Sequence, residues 1–381
     1  MEKTLSVDNT LSGAMEADHG GNIVSASEQY GVGLDQWIDL STGINPKPYP
    51  VELDVASFQH LPYLRPEFIA ASTHYYQSSH FLPVTGTQAA IQKLPHLLAD
   101  FPVLIPQVGY QEHAKYWQRK GAAIHCYPSL NKEVTLRFID SALADNPKRH
   151  VVIINPNNPT GVLFEKAQLL AWAQQLAPQA YLIIDEAFID TAIEQSVLNP
   201  SLPDNIIVLR SFGKFFGLAG IRLGYCFANK SILSGLQHHL GLWQINGPAQ
   251  SMAIKALDDK LWQCQAKKDI QQNAGFTRKI WHSLMNQLNL HPHSKYHSDL
   301  FSSYQMPSTY AMGLKEHFAQ SGILLRVIEI GDQQALLRIG LIDERNQIAV
   351  RRVLKVLEFA MQIFADSSVL TINTINHNVC S

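Results

Sequence analysis

Four short apolar runs, at 103–105, 151–154, 181–184 and 206–209, have no polar residue at alternate positions. A strand with one face in water alternates apolar and polar, so uninterrupted runs of three or four belong to strands buried on both faces. Stretches with helical spacing, at 88–98 and 165–176, lie among them. Strands interleaved with helices from about 80 to 230 predict an α/β chain with a largely parallel, doubly wound sheet. After Pro248 the pattern changes to a long helical stretch over 249–290, then short strands and helices to about 365. With 381 residues the chain is long enough for two lobes. We expect a large domain over 51–247 and a smaller α+β domain built from 19–50 and 248–365. Residues 1–18 and 366–381 are expected to be loosely held tails.

Bulk properties exclude several function classes. A formal net charge of −2 gives no footprint for nucleic acid or for an anionic membrane. No apolar run approaches the ~20 residues that span a bilayer. The start, Met-Glu-Lys-Thr, lacks the basic-then-apolar order of a signal peptide. Cys126, Cys226, Cys264 and Cys380 show no paired spacing and read as free thiols of a reducing compartment, so a cytoplasmic protein is expected. The 16 histidines lack metal-ligand spacing. His238, His239, His291 and His293 read as solvated loop or helix-end residues, and no metal site is expected.

The stretch 210–225 carries the chemistry. It sets Lys214 next to a glycine, three residues after Ser211 and eight before Arg222. A lysine that forms an imine needs a close-packed, partly desolvated loop, so that its amine is neutral near pH 7. A serine and an arginine at those offsets can hold a phosphate beside it. In doubly wound sheets ligands bind at the carboxyl ends of strands. Asn158 follows the run 151–154, Asp185 follows 181–184 and Ser211 follows 206–209. Gly86, Thr87 and Gln88 open a helix whose free N–H groups can cradle a phosphate; Thr85 or Thr87 can equally serve there as an ordinary N-cap. Tyr110 can stack on an aromatic ring or fill the core. Asp185 can pair with a pyridinium N–H or cap a helix. Asn158 can donate to a phenolic oxygen, or mark a turn before proline. Arg326 and Arg338 each interrupt an apolar run, as anion ligands do, or as residues on an edge strand do.

These residues resemble the fold-type I pyridoxal-phosphate enzymes, in the branch holding histidinol-phosphate aminotransferases and threonine-phosphate decarboxylases. The closer likeness is to the decarboxylases of cobalamin biosynthesis. It rests on His19-Gly-Gly-Asn22, Ser41-Thr-Gly-Ile-Asn-Pro46, the segments 82–91 and 185–190, and the run 210–220, and it covers about 19–365. The resemblance implies a homodimer with sites near the subunit interface. It implies pyridoxal 5'-phosphate linked to Lys214, with Asp185 on the ring nitrogen, Asn158 on the ring oxygen and Tyr110 on the ring face. Gly86, Thr87, Gln88, Ser211 and Arg222 would bind its phosphate. His19, Gly20, Gly43, Asn158, Arg326 and Arg338 would bind the substrate. Two departures stand out: Phe188 replaces the tyrosine of related aminotransferases, and Gly43 stands where relatives often carry asparagine.

The activity so implied is decarboxylation of O-phospho-L-threonine. An aminotransferase acting on histidinol phosphate shares every cofactor residue, and spacing does not separate the two. A non-catalytic regulator with this fold needs a basic DNA-binding module; the 18 residues before His19 are too few for one.

Overall fold

Alternate residues of the central strands point into two different cores. Val151, Ile153, Leu182, Ile184, Ile206 and Val208 join one cluster, while Val152, Ile183, Ile207 and Leu209 join another. Both faces of the sheet are therefore covered, as the uninterrupted apolar runs require. The structure is a computed structural model that describes residues 19–52, 54–287 and 295–360. The sheet has seven strands: β1 (Phe81–Val84), β2 (Val103–Pro106), β3 (Ile124–Tyr127), β4 (His150–Ile154), β5 (Leu182–Asp185), β6 (Ile206–Ser211) and β7 (Gly224–Phe227). Their spatial order is β1-β7-β6-β5-β4-β2-β3. Pairings from β3 through β6 are parallel, and β7 runs antiparallel to both β6 and β1. The four expected runs are β2, β4, β5 and β6. The strand β3 escaped the pattern because it lies at the sheet edge, where His125 and Cys126 face solvent.

Helices Thr87–Leu97, Glu112–Lys120 and Lys230–Leu240 cover one face through Ala90, Ile91, Leu94, Trp117, Ile232 and Leu236. Pro66–Tyr76, Lys132–Asp145, Lys166–Gln175 and Gly247–Asp258 cover the other. The helical stretch expected over 249–290 is two helices, Gly247–Asp258 and Lys260–Gln287. The break is local: the Asp259 carboxylate accepts the Trp262 N–H at 2.9 Å and starts the second helix.

A four-stranded antiparallel sheet holds Arg326–Gly331, Gln334–Gly340, Phe301–Pro307 and Lys295–His297, in that order. It packs with Ser308–Gln320 and residues 347–360 around a separate core that includes Trp281, Tyr304, Phe318, Leu337 and Val353. Ile38–Asp39 pairs in parallel with Ile323–Leu324 in a separate two-stranded sheet, which ties the N-terminal segment to the chain just before Arg326–Gly331. His238 and His239 close the last turn of Lys230–Leu240. His291, His293 and the tails 1–18 and 366–381 lie outside the described residues. Among the described residues no helix is long and apolar enough to cross a membrane.

Directly behind the carboxyl ends of β5 and β6 lies a buried ionic network. Arg210, 1% exposed, meets Asp190 Oδ1 at 2.5 Å and Glu186 Oε2 at 3.6 Å. Tyr75 donates to Asp190 at 2.9 Å, and the Ser196 hydroxyl and Val197 N–H donate to Glu186. Removing one partner leaves buried charge uncompensated, which costs about 3–5 kcal/mol. Arg210→Met is expected to lower unfolding stability by that amount in a urea titration; a loss below about 1 kcal/mol would mean that the carboxyls are neutral without the guanidinium.

Candidate active site

Lys214 sits on a loop whose other side chains are driven inward. Phe212, Phe215 and Phe216 are all buried, with Phe212 and Phe216 stacked at 4.4 Å and Phe216 stacked on Trp262 at 5.6 Å. Gly213 lets the loop fold back on itself, since a Cβ there would lie 2.6 Å from the Ala219 Cα. Backbone N–H groups of Asn45 and Tyr49 bind the carbonyls of Lys214 and Phe216 at 3.0 and 2.9 Å, so the N-terminal segment braces the loop from behind. The lysine is the one side chain of 212–216 that projects into a cavity of about 150 Å³. Burial, then the guanidiniums of Arg338 and Arg222, push its amine down to about 8; Asp185 opposes them and Arg326 adds to them. Its Nζ lies 5.5 Å from the centre of the Phe188 ring.

The same cavity is lined by Gly86, Thr87, Gln88, Tyr110, Asn158, Asp185, Ser211 and Arg222. These come from the carboxyl ends of β1, β2, β4, β5 and β6 and from the turn before β7. At Gly86 the helix Thr87–Leu97 starts with φ of 71° and no side-chain cap. Thr85 instead donates to the Gln244 carbonyl at 2.8 Å, so the first N–H groups of this helix are left for a ligand. A Cβ on Gly86 would lie 2.5 Å from Arg222 Nη2, which brings that guanidinium to the helix start. Asp185 accepts the Ala187 N–H on Oδ1 at 3.1 Å and meets His113 Nε2 through Oδ2 at 3.0 Å.

His113 is a residue that sequence reasoning missed. It lies three residues after Tyr110 at the start of the helix Glu112–Lys120, and its i, i+3 offset from an expected stacking residue was the available signal. Glu112 was missed as well: its buried carboxylate receives Gln88 Nε2 at 2.5 Å and meets His19 Nε2 at 3.2 Å.

The substrate-side residues divide. Arg326 and Arg338 are direct cross-strand partners in the second sheet. Arg338 lies on an interior strand, 3% exposed, and Arg326 on the edge strand, half-buried. Arg338 donates to Asn158 Oδ1 at 2.6 Å and to the Ser41 carbonyl, which joins it to the cavity around Lys214. With Oδ1 so used, the Asn158 amide nitrogen is free to donate elsewhere. Burial and the neighbouring Arg326 both work against the Arg338 charge. His19, Gly20 and Arg326 line a second cavity, and the His19 ring lies 5.9 Å from that of Tyr110. Gly43 lines neither of these two cavities. A Cβ there would lie 2.8 Å from the Phe188 ring, so the asparagine of relatives has no room beside this phenylalanine.

Pyridoxal 5'-phosphate fits these residues: an amine held near neutrality, a strand-end carboxylate fixed by a histidine, and an uncapped helix start faced by an arginine. A lysine so placed at the carboxyl edge of a doubly wound sheet defines a fold-type I pyridoxal-phosphate enzyme. The chain belongs to the class I and II aminotransferase family, whose model (Aminotransferase class I and II) matches residues 54–352. It is 36% identical over 326 residues to a threonine-phosphate decarboxylase of Pseudomonas aeruginosa, covering 85% of this chain and 92% of that protein. A threonine-phosphate decarboxylase of Sinorhizobium sp is 34% identical, with 85% and 92% covered. Among solved structures, histidinol-phosphate aminotransferase from Sinorhizobium meliloti in complex with pyridoxal-5'-phosphate superposes with a TM-score of 0.70, over 91% of this chain and 100% of that one, at 18% identity.

The lowered pKa has a direct readout. In the apoprotein, acylation of Lys214 followed by peptide mass spectrometry is expected to rise as pH passes about 8, whereas an exposed lysine inflects near ~10.4. Arg338→Gln removes a guanidinium that disfavours the charged amine, so it moves the inflection upward.

Proposed function

We propose that the protein decarboxylates O-phospho-L-threonine to (R)-1-amino-2-propanol O-2-phosphate, the linker of the cobalamin nucleotide loop, with pyridoxal 5'-phosphate as cofactor. The observation that carries this reading is the pairing of Arg326 with Arg338 across adjacent strands. Like charges directly opposite each other destabilise a sheet, and both guanidiniums press on the Lys214 amine. An anionic substrate relieves that repulsion. A substrate with both a carboxylate and a phosphate matches two arginines together with His19 better than one with a single anion.

When bound, pyridoxal 5'-phosphate would supply an electron sink for the bond broken at Cα. Lys214 would hold the cofactor and, with carbon dioxide gone, would return a proton to Cα. Its lowered pKa lets the amine accept and release a proton near neutral pH. Asp185, oriented by His113, provides the negative charge that keeps the ring nitrogen protonated. Asn158 would donate to the ring oxygen from the amide nitrogen that Arg338 leaves free, and Tyr110 would cover the ring face. Gly86, Thr87 and Gln88 at the helix start, with Ser211 and Arg222, bind the cofactor phosphate. Arg326, Arg338, His19 and the backbone at Gly20 take the substrate's anionic ends. Gly43 serves this reading indirectly, by giving Phe188 room beside the site. Anchoring both anions decides which Cα bond is cleaved, and so separates decarboxylation from transamination.

Three further proposals accompany this reading. The lobes divide at 51–247 and 248–365, with 19–50 returning to the smaller one; the pairing of Ile38–Asp39 with Ile323–Leu324 supports it. The three described cysteines are free thiols, which supports a cytoplasmic location. The chain forms a homodimer through an apolar face made by Val55, Phe58, Leu61, Tyr63, Leu242 and Trp243, all exposed. Such a cluster on a folded surface marks an interface. The bond from Thr85 to Gln244 sets this face beside the cofactor cradle.

Holoenzyme given O-phospho-L-threonine is expected to yield aminopropanol phosphate and carbon dioxide without any keto acid, followed by NMR. Product that appears only with 2-oxoglutarate, or glutamate formed from histidinol phosphate, would make it an aminotransferase. Lys214→Ala is expected to lose at least about a thousandfold in turnover, the scale on which essential catalytic groups act. Sedimentation is expected to show a dimer that Phe58→Glu with Leu242→Glu converts to monomer; a monomeric wild-type protein would remove the interface.

A further inference from the structure

We infer that Glu112 is a positioning residue that holds His19 over the substrate side of the site and thereby strengthens binding of a phosphorylated substrate. The inference rests on the reading above, in which His19 takes a substrate anion. Glu112 stands at the start of the helix Glu112–Lys120 with its side chain 5% exposed. Burial works against its charge, and hydrogen bonds from Lys115, Gln88 and His19 outweigh it, so the carboxyl is held below its usual range. Its Oε1 meets His19 Nε2 and Lys115 Nζ, each at 3.2 Å, and its Oε2 accepts from Gln88 Nε2 at 2.5 Å. None of these contacts enters the chemistry at Cα.

A buried carboxylate beside an anion-binding site is costly unless it organises the cations there. The contacts identify what it organises. Gln88 uses its amide nitrogen on Glu112 and its amide oxygen on the Tyr110 hydroxyl at 3.0 Å. One hydrogen-bonded chain therefore runs from the ring-stacking Tyr110 through Gln88 and Glu112 to His19. His19 is otherwise half-exposed, on a segment that Gly20 packs against Ser41. With Nε2 committed to Glu112, the atom left for a substrate oxygen is Nδ1, and it donates there only when the ring is cationic. Glu112 thus fixes both the place of the ring and the nitrogen that faces the ligand.

The test compares wild-type holoenzyme with Glu112→Ala, the isosteric Glu112→Gln, His19→Ala and the double alanine variant. Two measurements are made: steady-state kinetics with O-phospho-L-threonine and calorimetric titration with inorganic phosphate. Glu112→Ala is expected to raise KM and weaken phosphate binding about tenfold, the scale of one charge-assisted contact, with kcat within about twofold and cofactor absorbance unchanged. Glu112→Gln, which keeps an acceptor for Nε2, falls between. The double variant is expected to be no worse than His19→Ala, because both changes remove one interaction. Additive losses, a fall in kcat at constant KM, or loss of cofactor from Glu112→Gln would overturn the inference, the last by moving the role to Gln88. If wild-type holoenzyme does not turn over O-phospho-L-threonine, the functional reading fails. The phosphate titration then still decides the coupling of Glu112 to His19: equal, non-additive losses uphold it and independent ones overturn it.

Discussion

The site depends on one electrostatic arrangement: an amine that burial and nearby guanidiniums keep close to neutrality, with Asp185 as its counterweight. An exposed lysine is almost wholly protonated at neutral pH and a poor nucleophile. Bringing this one down to about 8 requires that its loop be dry and rigid. Three buried phenylalanines and the brace from 45–49 supply that. The ionic network of Arg210, Asp190 and Glu186 then fixes the ends of β5 and β6, which carry Asp185 and Ser211. Within that network the cost of burying charge is offset by pairing Arg210 with two carboxylates.

Two guanidiniums face each other across the second sheet. Arg326 and Arg338 share a register position, where a strand stable on its own account would not place two cations. Each works against the charge of the other, so this corner of the small sheet is strongly cationic. Arg338 also reaches Asn158, which lines the cavity around Lys214, so the small sheet is tied directly to that cavity. The N-terminal segment reaches the same region: His19 and Ser41 line a cavity with Arg326, and the Ser41 carbonyl accepts from Arg338.

Much of this was legible in the residues, for identifiable reasons. Asp185, Asn158 and Ser211 each follow an apolar run, and strand ends are where doubly wound sheets bind ligands. Gly86 and Lys214 were legible because a backbone approach and a desolvated amine need particular residue types at short spacing. His113 and Glu112 were not, since each looks like an ordinary polar residue of an amphipathic helix until its partner 72 or 93 positions away is known. Gly43 shows a different limit: resemblance implied a substrate contact there, and only the folded structure shows that the Phe188 and Phe301 rings leave no room for a side chain at that position.

The sequence by itself determined the doubly wound sheet, the lysine loop and the row of strand-end residues, because these follow from periodicity and from local steric demands. Tertiary structure alone decided that Arg326 would face Arg338, that His113 would orient Asp185, and that Glu112 would join Gln88 to His19. Those contacts depend on strand register and on the direction in which helical side chains leave the backbone. The register between Arg326 and Arg338 is set by the hairpin that joins their strands, and the helix contacts by packing between segments 24 to 93 residues apart, which no single local pattern encodes.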